Sequence, residues 1–441
     1  MTLESLINVS PLSLPQFTVI GLCALVAMVD GFDTQCIGLV APEIAVAWNV
    51  SVAQFGLVFG AGLFGGLLGG MAFGAIADRL GRKPALLLAV CIFSAMTLLT
   101  PVCAAMTQLT AVRLLTGVGL GGALPAIISL TSEYAPYRLR ATLVAVMFCG
   151  FPLGAALGGL ITARVMPVYG WTSVFYLGGG APLLLLLPLS LFLPESARFL
   201  AHRKPDRLER LLRKLGWEER WNGESGSVAN RVRGSVRGLF SDGLASRTVL
   251  LWATLFCSLL LSYFLINWIP VLARHAGIQI QGAVIAVAML NFGGLLGCLT
   301  IGQLSDRFGA TRVVGLAFVI GGVAVTCLGL NGGSSVQMVC TAFLAGFFSI
   351  GGQMCTVALV PTFYNTGLRA TGVGWSMAAG RFGAISGPIV GGALLAAGLS
   401  ASILFLIVGG VSLVAAMAML TLGTIKPVTQ PHGGSLDNTV T

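Results

Sequence analysis

Asp30 and Asp33 stand three residues apart inside a run, from about residue 17 to 40, that carries no other charge. On a helix that spacing sets both carboxylates on nearly one face. Arg113 and Arg381 interrupt two further apolar runs. An ionisable side chain inside a membrane span costs at least a few kcal/mol, and it usually faces a cavity, a partner or a proton path. Two chemistries suit these residue types. A buried acid beside an arginine makes an ion pair that protonation dissolves and deprotonation restores, which is the alternation that coupling to a proton gradient requires. An arginine that stays charged can hold both oxygens of a carboxylate. Each has a plainer alternative: a permanent structural salt bridge for the acids, and backbone carbonyls at a helix C-terminus for Arg381.

The elements that position these charges are membrane helices. The chain is 56% hydrophobic and 9% charged, where a soluble domain is roughly 25% charged. Its 60 glycines suit close packing between membrane helices. Runs of about 20 apolar residues, enough to span, occur near 17–40, 52–73, 84–105, 107–130, 141–166, 171–193, 248–271, 282–303, 313–331, 336–360, 372–397 and 400–423. This is an all-α membrane protein of twelve transmembrane helices, and an even number puts both termini on one side. The net charge of +10 invites a nucleic-acid partner, but position excludes it. Apart from Arg113, Arg381, Arg164 and Arg274, every Lys and Arg falls on the side of the membrane that holds the termini. The positive-inside rule makes that side cytoplasmic, as in a multi-pass inner-membrane protein.

Depth brings the acids and an arginine together. Asp30 is thirteen residues into a span that starts near Phe17, so roughly 20 Å from the cytoplasmic edge at 1.5 Å per residue. Arg113, six residues into a span running the other way, comes out roughly 21 Å from that edge of a core about 30 Å thick. Arg113 is therefore expected to pair with Asp30 or Asp33. Asp33, nearer the outer entrance, is assigned the proton, and Asp30 the standing partnership with Arg113. Arg381 lies roughly 14 Å from the cytoplasm by the same rise. Asn267, Asn291 and Gln353 are polar groups in spans that can hydrogen-bond a substrate, or simply tie helices together. Tyr263 and Phe264 can stack on an aromatic ring; Trp268 and Trp375 can do the same or anchor at the interface.

The chain also repeats. Gly74, Asp78, Arg79 and Gly81 recur as Gly302, Asp306, Arg307 and Gly309, and Gly117, Gly154 and Gly158 recur as Gly346, Gly383 and Gly387. The expected organisation is a six-helix half over 1–193, a cytoplasmic linker over 194–247, a second six-helix half over 248–423, and a disordered tail over 424–441. Within the linker, Leu208, Leu211, Leu212 and Leu215 make one stripe of a short amphipathic helix between Pro205 and Trp217. Parallel repeats of this kind are a transporter architecture, with the site between the halves near the midplane.

Gly74-Ala-Ile-Ala-Asp78-Arg79-Leu-Gly81-Arg82-Lys83, with its shortened second copy, resembles the signature loop of the major facilitator superfamily. Arg113-Leu-Leu-Thr-Gly117-Val-Gly119 and Pro194-Glu195-Ser196-Ala-Arg198 are similar to two further patterns of that superfamily. Asp30-Gly31-Phe32-Asp33-Thr34, Arg369-Ala-Thr-Gly372-Val-Gly374-Trp375 and Gly380-Arg381-Phe-Gly383-Ala384 resemble the aromatic acid:proton symporters. Leu265-Ile-Asn267-Trp268 and Ser132-Glu133 look like the 3-(3-hydroxyphenyl)propionate branch. The first motif departs from that branch, which has Glu-Gly-x-Asp, and matches benzoate and hydroxybenzoate carriers. The resemblance implies alternating access by rocking of two halves, proton-coupled import of an aromatic carboxylate, and gating by the loop residues Gly74, Asp78, Arg79, Gly81, Arg82, Asp306 and Arg307, with Glu133 and Arg140 joining the network. Asp78 would dock on the positive end of a helix in the other half.

The implied partners are a small aromatic carboxylate, protons and the lipid bilayer, with a functional monomer and no cofactor or metal. The cysteines show no metal-ligand spacing, and no phosphate-binding Gly-rich loop ending in Lys-Ser or Lys-Thr is present. Three other readings fit parts of this pattern: a carrier of another small organic acid, a metabolite or drug exporter, and a membrane sensor of aromatic acids. The insertion at 194–247 is too short for a signalling domain, which weighs against the sensor.

Overall fold

The computed structural model describes residues 14–203, 208, 236–241, 244–275, 277–330, 334–365 and 368–425. Among them, twelve helices are long and apolar enough to cross a membrane. In the first half they are Leu14–Trp48, Val52–Leu80, Arg82–Val102, Met106–Tyr134, Thr142–Tyr169 and Thr172–Phe192. In the second they are Ala245–Arg274, Gln281–Phe308, Ala310–Gly329, Ser335–Phe363, Thr371–Ala396 and Ala401–Thr424. Apart from Leu208, the amphipathic helix expected at 205–217 lies outside the described residues, as does the tail beyond 425.

Several helices outrun the apolar stretches that announce them. The first span continues to Trp48, through Pro42 and Glu43. In a membrane helix, neighbouring helices, hydroxyl side chains and local adjustments re-satisfy the carbonyl that a proline leaves free. Pro125, Pro270 and Pro388 likewise sit inside helices rather than ending them.

Glycine seams hold each half together. A Cβ on Gly65, Gly69, Gly117 or Gly121 would run into the backbone of the facing helix, so the second and fourth spans pack with their main chains touching. The second half repeats the device: Gly293 and Gly297 press on the Phe343 and Phe347 carbonyls, and Gly346 on that of Leu290, joining the eighth and tenth spans. Gly154 against the Met28 carbonyl and Gly383 against the Phe256 carbonyl join the first span to the fifth and the seventh to the eleventh in the same way. Such contacts replace the hydrophobic drive that lipid does not supply between helices. The tenth span is less regular than the fourth. It contains a π-helical turn over Gly346–Ile350.

The face that carries the loop between the second and third spans is called here the basic face, and its opposite the far face. The halves touch toward the far face. A Cβ on Gly38 would meet Asn267 Cα at 3.1 Å, one on Gly56 would meet the Pro388 oxygen at 2.8 Å, and one on Gly159 would meet Ala288 Cβ at 3.3 Å. Phe59 and Trp268 meet edge to face with centroids 5.6 Å apart, and Glu43 pairs with Arg274 at 3.3 Å. Asp78, Arg79, Asp306 and Arg307, at the basic face, are all exposed. The structure is therefore sealed toward the far face and open toward the basic one.

Candidate substrate and proton site

Between the halves lies a cavity lined by residues of both. The first half contributes Asp30, Asp33, Thr34, Ile37, Phe59, Arg113, Thr116 and Phe151 among others; the second contributes Tyr263, Asn267 and Arg381. Asp30, Asp33 and Arg113 are 2%, 1% and 3% exposed. All three charges are thus out of bulk water, where each needs compensation.

The compensation is unequal. Asp33 accepts a hydrogen bond from Thr97 Oγ1 at 2.6 Å and a weak one from Cys36 Sγ at 3.8 Å. Its other oxygen stands 4.0 Å from Arg113 Nη1, attracted but beyond direct hydrogen-bond length. Arg113 donates from Nη2 to Thr100 Oγ1 at 2.5 Å, and its guanidinium carbon sits 5.0 Å from the centre of the Phe175 ring, a cation–π contact. Asp30 has less. Thr34 Oγ1 donates to its Oδ1 at 3.1 Å; its buried Oδ2, like that of Asp33, has no hydrogen-bond partner among the described residues, and no cation among them stands within 4.0 Å of it as Arg113 does of Asp33.

Arg113 therefore stands against Asp33, and the expectation that Asp30 is its standing partner is corrected. The depth argument placed all three at one level. It did not resolve the helix face: Asp33 turns toward the third and fourth spans, whereas Asp30 opens on the cavity. The charge across from Asp30 is Arg381, in the other half. Arg381 is partly buried, with Nη1 3.6 Å from where a Gly66 Cβ would stand. A methyl at Gly66 would stand in van der Waals contact with that guanidinium.

Of the remaining expected ligand contacts, Tyr263 and Asn267 line the cavity, and Asn267 Nδ2 is already donated to the Tyr263 carbonyl at 2.8 Å. Three others do not line it. Phe264 is 1% exposed and meets Phe405 edge to face inside the second half. Asn291 is bonded to Gln35 through both amides, at 2.8 and 2.9 Å. Gln353, on the tenth span, is partly buried away from the lining. Trp268 is fully buried, with Nε1 donating to the Pro388 carbonyl at 3.2 Å, so it is no interfacial anchor. Trp375 is 45% exposed and stacks on Trp252. Thr97, Thr100, Thr116 and Gln35 escaped the sequence reading. Thr97 and Thr100, three residues apart in the third span, had the spacing of a common face as their signal.

The expected gating residues divide into two groups. Arg82 Nη1 lies 3.1 Å from Glu133 Oε1 and donates to Ser196 Oγ at 2.6 Å; Ser196 in turn donates to Glu133 Oε2 at 2.5 Å. Glu195 Oε1 accepts from the backbone N–H of Arg82 and Lys83 at 2.8 and 3.1 Å, capping the third span. Gly81, at φ 109°, makes the bend that exposes those N–H groups. This cluster ties the first half to itself. Arg140 does not join Glu133, as expected, but lies over the Tyr137 ring at 5.6 Å. The second group, Asp78, Arg79, Asp306 and Arg307, is exposed at the basic face, and a Cβ on Gly74 would meet nothing within 4 Å.

The Major Facilitator Superfamily model matches residues 23–303 and 251–436. The gallate transporter of Pseudomonas putida is 38% identical over 419 residues, covering 94% of this chain and 93% of that protein. The 4-hydroxybenzoate transporter PcaK of Pseudomonas aeruginosa is 38% identical, with 90% of each chain covered. The 3-(3-hydroxy-phenyl)propionate transporter of Escherichia coli is 39% identical over 86% of this chain and 87% of that one. Among solved structures, the D-xylose-proton symporter superposes with a TM-score of 0.71 at 16% identity, covering 92% of this chain and 97% of that one. A bacterial homologue of the lysosomal transporter Spinster, in an inward-facing conformation, gives 0.65 at 19% identity over 93% and 95%. The chain belongs to the major facilitator superfamily and, within it, to the family of aromatic acid transporters.

Proposed function

We propose that this protein imports an aromatic carboxylate across the inner membrane together with protons, by alternating access of the central cavity to the two faces. The basic face is the cytoplasmic one, with both termini on it, so the conformation described is the inward-open one. The observation that carries the reading is the pair of groups facing each other across the cavity. Arg381, without a hydrogen-bond or ion-pair partner among the described residues, suits a substrate carboxylate; Asp30, with one bare oxygen, suits a proton. Phe59, Phe151 and Tyr263 offer ring surfaces beside them, and the relatives named above transport hydroxylated aromatic acids.

The two acids then divide the work. Asp33 stands beside a cation, Arg113, and takes hydrogen bonds from Thr97 and Cys36. Asp30 has only Thr34, so a proton removes most of the cost of burying it. Protonated Asp30 leaves Arg381 free to take the substrate anion; with both released to the cytoplasm, Asp30 and Arg381 neutralise each other and the empty carrier returns. Asp78 and Arg79, exposed in the inward-open state, act as gate residues that find their partners when the basic face closes.

Uptake of radiolabelled 4-hydroxybenzoate, gallate, benzoate and 3-(3-hydroxyphenyl)propionate by cells expressing the chain, with and without a protonophore, tests this. Accumulation of at least one of them that the protonophore abolishes is the expected result. Protonophore-insensitive accumulation would remove proton coupling, and no uptake of any aromatic acid would remove the substrate class.

A further inference from the structure

Gln35 stands on the first span two residues past Asp33, and Asn291 on the eighth, in the other half. Their amides bond reciprocally: Gln35 Nε2 donates to Asn291 Oδ1 at 2.9 Å, and Asn291 Nδ2 donates back to Gln35 Oε1 at 2.8 Å. Asn291 Nδ2 also reaches the Val287 carbonyl of its own helix at 2.9 Å, which fixes its rotamer. The two side chains are 0% and 2% exposed. This is a closed, directional link between the halves, buried in apolar surroundings.

Its place in the seal matters. Gln35 lies one turn nearer the basic face than Gly38, which packs on Asn267; Asn291 lies one turn nearer than Ala288, which packs on Gly159. The amide pair is thus at the cavity-side edge of the sealed layer. Farther out, the seal named above consists of small residues and rings in van der Waals contact, closing at the far face in the more exposed Glu43–Arg274 pair. Dispersive contacts tolerate sliding, whereas a double amide bond has one geometry.

We propose that the Gln35–Asn291 pair is a latch that holds the far-face seal shut while the cavity is open to the basic face, and that it parts in every transport cycle. The proposal rests on the alternating access proposed above. A buried amide without a partner is costly, so the latch opens only when the layer around it separates far enough to admit water to both amides. That makes opening all-or-none. Gln35 also shares one helical turn with Asp33 and Cys36, so a shift of the Asp33–Arg113 pair turns the same segment of helix that carries the latch.

Two measurements on the full-length carrier test it. In the first, a Gln35→Cys, Asn291→Cys double variant is treated with a short bifunctional thiosulfonate, and uptake is compared before and after. Bridging is expected to lower uptake at least about tenfold, with recovery on reduction, while Gln35→Cys and Asn291→Cys alone are insensitive to the reagent. Undiminished uptake with the bridge verified by mass would make the pair a fixed pivot and overturn the latch. The second needs no substrate, so it stands whatever the carrier transports. In Ile37→Cys reporter molecules, labelling by a membrane-impermeant maleimide from the far face is expected to rise roughly fivefold or more on adding Gln35→Leu or Asn291→Leu. Combining the two changes adds little, and exchanging the amides (Gln35→Asn with Asn291→Gln) brings labelling back toward the starting rate. Labelling unchanged by either leucine, in variants present at normal abundance, would sink the proposal.

Discussion

In the first half Gly117 presses on the Gly62 carbonyl, and 229 residues later Gly346 presses on that of Leu290; Gly154 on Met28 is answered by Gly383 on Phe256. The packing that builds one half builds the other. The charges follow no such rule. Superposing the seams sets Asp30 against Ser258, Asp33 against Leu261 and Arg113 against Ala342, while Arg381 falls opposite Pro152. The acids and their arginine thus belong to one half, and the free arginine to the other. A repeated scaffold supplies two bodies that move alike, and unrepeated charges give each body a different task. In the function proposed above, a substrate anion and a proton are bound by opposite walls of one cavity, and that arrangement would couple them.

The strongest way to break this contrast is to unpair the first half's ion pair. Arg113→Ala leaves Asp33 buried without its cation, and a loss of about 3–5 kcal/mol is expected, visible as reduced abundance or thermal stability together with lost uptake. Arg113→Ala with Asp33→Asn recovers the stability but not the uptake. Asp30→Asn is expected to abolish pH-driven accumulation while retaining exchange of labelled for unlabelled substrate, since the neutral amide mimics the protonated acid; accumulation that survives would take the proton away from Asp30. Raising the external pH is expected to slow uptake by the native protein and to leave the residual exchange of this variant nearly unchanged.

On the other wall, Arg381→Lys keeps the charge and loses the bidentate fork. Half-saturation is expected to rise on the order of tenfold or more, and an unchanged value would remove the carboxylate contact. The shared scaffold makes the smallest forecast. Gly117→Ala and Gly346→Ala each put a Cβ into a facing backbone, and each is expected to cost about 1–3 kcal/mol in thermal stability. A large difference between the two would show that the halves are built less alike than their seams suggest.

The charges were legible in the sequence because an ionisable side chain in an apolar run has few affordable places. Asp30, Asp33, Arg113 and Arg381 all reach the cavity, and the repeat of Gly117 and Gly346 anticipated the seams. Which neutral polar or aromatic groups face the cavity was not legible. These helices are apolar all round, so no polar stripe marks an inner face, and Asn291 and Phe264 bury themselves against protein as readily as toward a ligand. The partner of Arg113 was open for a related reason: depth follows from counting residues, but the distinction between Asp30 and Asp33 depends on how the first span is rotated against its neighbours.

One property of the seams reaches beyond packing. Where main chains touch, neighbouring helices have no side-chain cushion to yield, so each half resists internal shear and turns as a stiff lever. The acids sit part-way along that lever and the loops of the basic face at its end. An ångström gained or lost around Asp30 and Arg381 is magnified along some 14 residues of helix between Asp30 and the end of its span at Leu14–Gln16, about 20 Å of arm. Under the proposed cycle, stiffness of this sort would carry a small change at Asp30 out to the loops that close the basic face.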